Sequence, residues 1–178
     1  MSLNHMMIDL ETMGTTPDSV VLSCGAVMFD PESGVVMDKL SKHWVLQIQN
    51  QLDAGRVISG DTLKWWIGQS DEAIRSWNKG EGSCANLVEF RENMDTYWCR
   101  SKAKYVWSHG SIFDVAILEN MMEGQTPWKF WDIRDTRTLL HAAGIDQGLR
   151  DYRDKSSHHN AEADAIAQAT AICDAWKK

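Results

Sequence analysis

The chain has 178 residues, of which 43% are hydrophobic and 24% charged, and its formal net charge is −7. These values suit one folded domain over 1–178, with 1–3 set aside as a leader, and exclude a disordered or fibrous chain. The negative balance excludes a broad basic face for coating duplexes or anionic membranes, and leaves room for contact with a few nucleotides.

The first element is the apolar run HMMIDLETMG at 5–14, read as a buried strand. A strand points residues i and i+2 to the same face, so Asp9 and Glu11 aim at one point. The run VVLSCGAVMFD at 20–30 is a second strand. After the turn-former PESG, the segments 35–40 and 43–49 read as further strands of an antiparallel meander. The stretch 20–29, the longest apolar run, is half of what a bilayer span needs, so no membrane segment is expected. Cys24, Cys84, Cys99 and Cys173 are scattered, with no CxxC pair and no signal peptide, which predicts reduced thiols and a cytoplasmic location.

From 61 the period becomes helical, with helices expected over 61–69, 70–79 and 83–100 and N-caps at Asp61, at Ser70 or Asp71, and at Ser83. YVWSH at 105–109 is a short buried strand, followed by a helix over 113–124 that Gly124 ends. The segment 126–144 contains a short strand and then a helix from Asp135 to Ala143, stopped by Gly144. A polar connection over 147–160 leads into an alanine-rich closing helix. Strands followed by interspersed helices predict an α/β fold with a mixed sheet, antiparallel in its N-terminal part and flanked by helices.

Four carboxylates stand in apolar surroundings: Asp9 and Glu11 on the first strand, Asp114 at the start of a helix, and Asp164 among alanines in the last helix. Taken singly, each has an ordinary reading as a cap or a solvated side chain. Gathered in one place they would repel and drive one another toward protonation unless a cation joined them. An all-oxygen donor set suits Mg²⁺ or Mn²⁺ better than Zn²⁺, and two such ions roughly 3.5–4 Å apart can serve phosphodiester hydrolysis. Ala161, Ala165 and Gln168 share the helix face of Asp164, and small side chains there let the helix approach the sheet closely. His159 lies about 140° round an ideal helix from Asp164, which places it at the loop–helix junction. From there it either swings in as a general base or stays in solvent beside His158.

IDLETMG, HGSIFD and HNAEADA together resemble the three motifs of the DEDDh family of 3′-to-5′ exonucleases, the DnaQ-like group with a ribonuclease H-like fold. The order and separation of the blocks match over nearly the whole chain. The segments DTLKWWIGQSDEA and RDTRTL are similar to small phage and bacterial members described as exonuclease VIII-like or as exoribonucleases. The resemblance implies Asp9, Glu11, Asp114 and Asp164 as ligands of two Mg²⁺ or Mn²⁺ ions and His159 as the base. It also implies release of nucleoside 5′-monophosphates from the 3′ end of single-stranded DNA or RNA. Asn160 stands where the tyrosine variant of the family has Tyr, so the histidine form applies. His109 departs from the asparagine usual in the second motif.

By the same resemblance Leu10, Thr12 and Met13 hold the terminal nucleotide, with His109 and Phe113 of the second motif alongside; a homodimer is a further implication. For Thr12 the competing reading is a strand-end hydroxyl bonded to its own backbone. Trp65 and Trp66 are about 100° apart on a helix, so one is expected in the core while the other, taken as Trp66, stacks on a base. Arg150, Arg153 and Lys155 stand ahead of His159 as phosphate contacts or, with Asp151 and Asp154 between them, as a solvated charge run. Two rival functions are carried: a non-catalytic module that binds nucleic acid or a partner on a nuclease fold, and a metal-dependent phosphomonoesterase.

Overall fold

The computed structural model describes residues 3–145, 149, 151, 152 and 159–177. The expected contacts of Arg150, Arg153 and Lys155 lie outside these residues. Six strands form one mixed sheet: β1 (His5–Thr12), β2 (Val21–Asp30), β3 (Val35–Val36), β4 (Lys42–Val45), β5 (Tyr105–Ser108) and β6 (Ile133–Asp135). Among the described residues there are seven α-helices: α1 (Ile48–Asp53), α2 (Gly60–Ile67), α3 (Asp71–Trp77), α4 (Leu87–Ser101), α5 (Ser111–Met121), α6 (Thr136–Ala142) and α7 (Ala161–Ala175). None is long and apolar enough to cross a membrane.

The sheet runs β3-β2-β1-β5-β6, with β4 also on β2. β1 is antiparallel to β2 and parallel to β5, and β6 continues the parallel part. The expected α/β fold with a mixed sheet is therefore present, but the opening is not a simple meander. β3 and β4 share the same edge of β2, one at Phe29 and Asp30 and the other from Ser23 to Ala26. The strand expected over 43–49 stops at Val45 because the chain turns into α1. From α1 the buried Gln51 amide accepts from Val21 N at 2.8 Å and donates to Val21 O at 2.7 Å, standing in for a strand neighbour.

The helix caps are set by which side chain reaches the orphan N–H groups. Ser59, not Asp61, caps α2, and Ser70 caps α3 as expected. Asn86, not Ser83, starts α4 through a reciprocal capping box with Glu89. Helix α5 begins two residues earlier than the apolar pattern suggests, at Ser111, and ends at Met121 ahead of Gly124.

The period-2 alternation of β1 divides the core. Met6, Ile8 and Leu10 face a cluster completed by Phe90, Met94 and Trp98 of α4 and by α5. Met7 faces the opposite side, with Val27, Phe29 and Trp107, against Ala165, Ala169 and Ile172 of α7. Asp9 and Glu11 continue the Met7 row, so they too turn toward α7.

Helix α7 meets the sheet at Gly25, the residue opposite Asp9 in the β1–β2 register. A Cβ at Gly25 would fall inside the Ala161 carbonyl group. Only glycine allows the first turn of α7 to lie this close to β2. Ala161, Ala165 and Gln168 are fully buried along that face, as their spacing predicts.

Candidate active site

Asp9 and Glu11 at the end of β1 and Asp164 in the first turn of α7 each bring a carboxylate oxygen within 4.8 Å of the others. Glu11 and Asp164 are buried, and Asp9 is partly so. Asp114 reaches the same strand end from α5, where its Oδ1 accepts from Leu10 N at 3.1 Å. All four carboxylates singled out in the sequence are thus gathered at one end of β1.

Their ionisation reflects the crowding. Burial, then the charges of Asp114, Glu11 and Asp164, hold the Asp9 carboxyl well above its usual range. Burial also lifts Asp114 to about 7, against the opposing pull of the Leu10 N–H and of the Arg137 guanidinium. Carboxylates held this way keep a shared charge only with a cation among them. An all-oxygen donor set on both sides of one cleft fits a hard divalent ion.

Gln168, one turn beyond Asp164, donates Nε2 to Asp9 Oδ1 at 2.6 Å and so fixes that carboxylate. Its face was legible from spacing; its partner was not, because the hydrogen bond spans 159 residues. Glu162 points elsewhere, its carboxylate accepting the Ser41 hydroxyl.

His159 stands at the junction expected of it, in a left-handed conformation (φ 63°) immediately before Asn160, the N-cap of α7. Its carbonyl accepts from Ser76 Oγ at 3.2 Å. The ring lies edge-on to Trp65 and Trp66, with centroids 4.8 and 6.1 Å away.

The two tryptophans divide in the opposite sense to the one expected. Trp66 is 2% exposed and packs with Met13, Val20 and Leu22, while its Nε1 donates to Thr12 O at 2.8 Å. It forms wall, because the indole N–H must find a partner when buried. Trp65, 45% exposed, presents the open ring.

Met13, expected beside the substrate, is also drawn inward: its side chain is in the core, its N–H bonds Val20 O and its carbonyl accepts from Ser59 N. Thr12 Oγ1 donates to Gly14 O at 2.7 Å, the local bond that competes with a substrate role. Leu10 and Thr12 line a cleft of about 410 Å³ together with Glu11, Trp65, Trp66 and Phe113. His109 is half-buried between β5 and α5.

A family model described as 3′-5′ exoribonuclease Rv2179c-like domain matches residues 4–176. An exodeoxyribonuclease of Enterobacteria phage T4 is 25% identical over 159 residues, covering 76% of this chain and 70% of the phage protein. The crystal structure of cell-death related nuclease 4 (CRN-4) superposes with a TM-score of 0.66 at 11% identity. That match covers 96% of this chain, which spans only 62% of the CRN-4 chain. The Mg²⁺- and Mn²⁺-bound form of S. pombe Pop2p superposes with a TM-score of 0.60 at 11% identity, over 96% of this chain and 82% of its own. These two structures share its fold, a ribonuclease H-like mixed sheet with flanking helices.

Proposed function

The chain belongs to the Rv2179c-like family of 3′-5′ exoribonucleases and is a 3′-5′ exonuclease of the DEDD type; on that premise we propose that it removes nucleoside 5′-monophosphates from single-stranded 3′ ends with divalent cations at the β1–α7 junction. The observation that carries this reading is the convergence of Asp9, Glu11 and Asp164, from opposite ends of the chain, within 4.8 Å and beside Asp114. The same convergence speaks against a mere binding module, which would have no use for clustered carboxylates whose charges, after burial, raise the pKa of Asp9.

In this reading Asp9, Glu11, Asp114 and Asp164 hold two Mg²⁺ or Mn²⁺ ions. The bound ions supply charge neutralisation at the scissile phosphate and its leaving oxygen. Gln168 keeps Asp9 turned toward its neighbours. Water attacks the terminal phosphorus, its proton passes to a ring nitrogen of His159, and the P–O3′ bond breaks to free the monophosphate while the O3′ left on the shortened strand takes a proton from solvent. The Trp65 face gives the terminal base a surface that every base can use. The family description supports RNA as the substrate and the name of the phage relative supports DNA. All four cysteines are thiols rather than disulfides, which accords with a cytoplasmic setting.

The test is digestion of matched 5′-labelled RNA and DNA oligonucleotides with Mg²⁺, with Mn²⁺ and with EDTA. A ladder shortening from the 3′ end that EDTA abolishes is the expected result, and the faster of the two substrates identifies the sugar. Internal cuts, or an equal ladder in EDTA, would overturn the reading.

A further inference from the structure

Beyond Phe113 the substrate cleft opens into a second one of about 620 Å³, and Phe113 and Thr15 line both. The floor of this second cleft is the start of α5 and the start of α6. Asp135 ties them together: Oδ2 accepts from Ser111 N at 2.7 Å while Oδ1 caps α6 through Thr138 N at 3.0 Å. Both oxygens of the lone acidic side chain in the lining are therefore engaged. Arg137 is the lone basic one, exposed at the rim, and it makes no ion pair among the described residues.

The backbone shapes the spot that Arg137 occupies. Gly110, at φ 104°, has no side chain, and a Cβ there would meet Arg137 Nη1 at 3.0 Å, so the guanidinium lies against bare backbone. The guanidinium is close enough to act on Asp114, yet it belongs to the neighbouring cleft.

We propose that Arg137 binds the phosphate one step to the 5′ side of the scissile one, so that the cleft past Phe113 seats the penultimate nucleotide. This rests on the exonuclease reading above. A strand whose terminal nucleotide fills the Trp65 cleft and continues past Phe113 enters the second cleft, where Arg137 is the basic side chain of the lining among the described residues. The planar fork of arginine suits a phosphate diester, and the chain's net charge of −7 makes a local cation necessary for holding a polyanion.

The experiment compares wild type, R137Q and R137K on a single-stranded octanucleotide, following kcat, KM, the dependence of kcat/KM on KCl, and the Mg²⁺ midpoint. R137Q is expected to raise KM about tenfold with kcat within about twofold of wild type, the loss of one charge-assisted contact. Its plot of log kcat/KM against log salt should be shallower by about 0.7, the value for one phosphate contact on a single strand. R137K should restore the slope and only part of the KM, since it keeps the charge and loses the fork. An unchanged KM and slope would overturn the proposal. So would a loss confined to kcat with a shifted Mg²⁺ midpoint, which would mean that Arg137 acts only through Asp114. Binding of the fluorescein-labelled octanucleotide in Ca²⁺ separates the two readings. If wild type binds without ever cleaving and R137Q binds tenfold more weakly, the exonuclease fails and this contact stands; if R137Q cleaves with wild-type KM, the reverse holds.

Discussion

Both ends of β1 bury titratable side chains on the face toward α7, and they do so in opposite ways. At the first end His5 is enclosed by Tyr105, Phe29, Trp107 and Trp176, with ring centroids 4.9 to 6.1 Å away. Its Nδ1 accepts from Trp107 Nε1 at 2.9 Å, and burial pushes its pKa down to about 4, so it stays neutral. At the other end Asp9 and Glu11 stand against Asp164 and Asp114, and burial with the neighbouring charges raises the proton affinity of Asp9 instead of silencing it. A single ionisable group in a core is accommodated by losing its charge. A cluster of like groups keeps the fold under electrostatic tension that a cation relieves, and so marks a site rather than a core.

The largest expected effect breaks the charged end. D9N should lower turnover by roughly 10³-fold, because the ions contribute several kcal/mol of transition-state stabilisation. In EDTA at pH 7.5 the same change should raise the melting temperature by about 2–4 °C, since it removes one repelling anion. A lower metal-free melting temperature with undiminished turnover would show that the carboxylates are structural.

Next comes the contact that brings the two halves of the cluster together. G25A forces a methyl group into the Ala161 carbonyl and must lift the start of α7. It should cost about 3 kcal/mol in urea denaturation. Asp164 rides on the same turn, so turnover should fall roughly 100-fold even in the fraction that remains folded. Wild-type turnover in G25A would show that α7 can yield without disturbing the site.

The smallest effect sharpens the pH contrast. The folded-state pKa of His5 is depressed, so its stabilising contribution is complete above the unfolded value of 6.5 and is lost as pH falls toward 4. Over that interval the loss is about 3 kcal/mol at most. H5Q, which keeps an acceptor for Trp107 Nε1, should flatten the acid limb and leave stability at pH 7.5 nearly unchanged. Asp9 and Asp114 have the opposite sign: raised pKa values make the metal-free protein lose stability as pH climbs above about 3.8, for Asp114 through about 7. Denaturation curves at pH 4.5 and 7.5 in EDTA, for wild type, H5Q and D9N, test both limbs. Parallel curves for all three proteins would contradict the contrast.

The amino-acid sequence determined the chemistry of the charged end by itself. The i, i+2 spacing of Asp9 and Glu11 put both on one strand face, and the small residues around Asp164 made a close helix approach legible, because both are consequences of local periodicity. The position of His159 before the helix followed from the same geometry. Local pattern had no means of choosing between Trp65 and Trp66, since the choice was made by a carbonyl 54 residues away that needed the Trp66 N–H. Nor did it reveal the Gln51 amide that pairs with the Val21 backbone, the Gln168 bond to Asp9, or the place of Arg137 against Gly110. Those features depend on which backbone polar groups are left without partners once the sheet has formed, and on how near a helix can come to it. Periodicity along the chain carries the faces of the elements; only packing in three dimensions decides which face meets which vacancy.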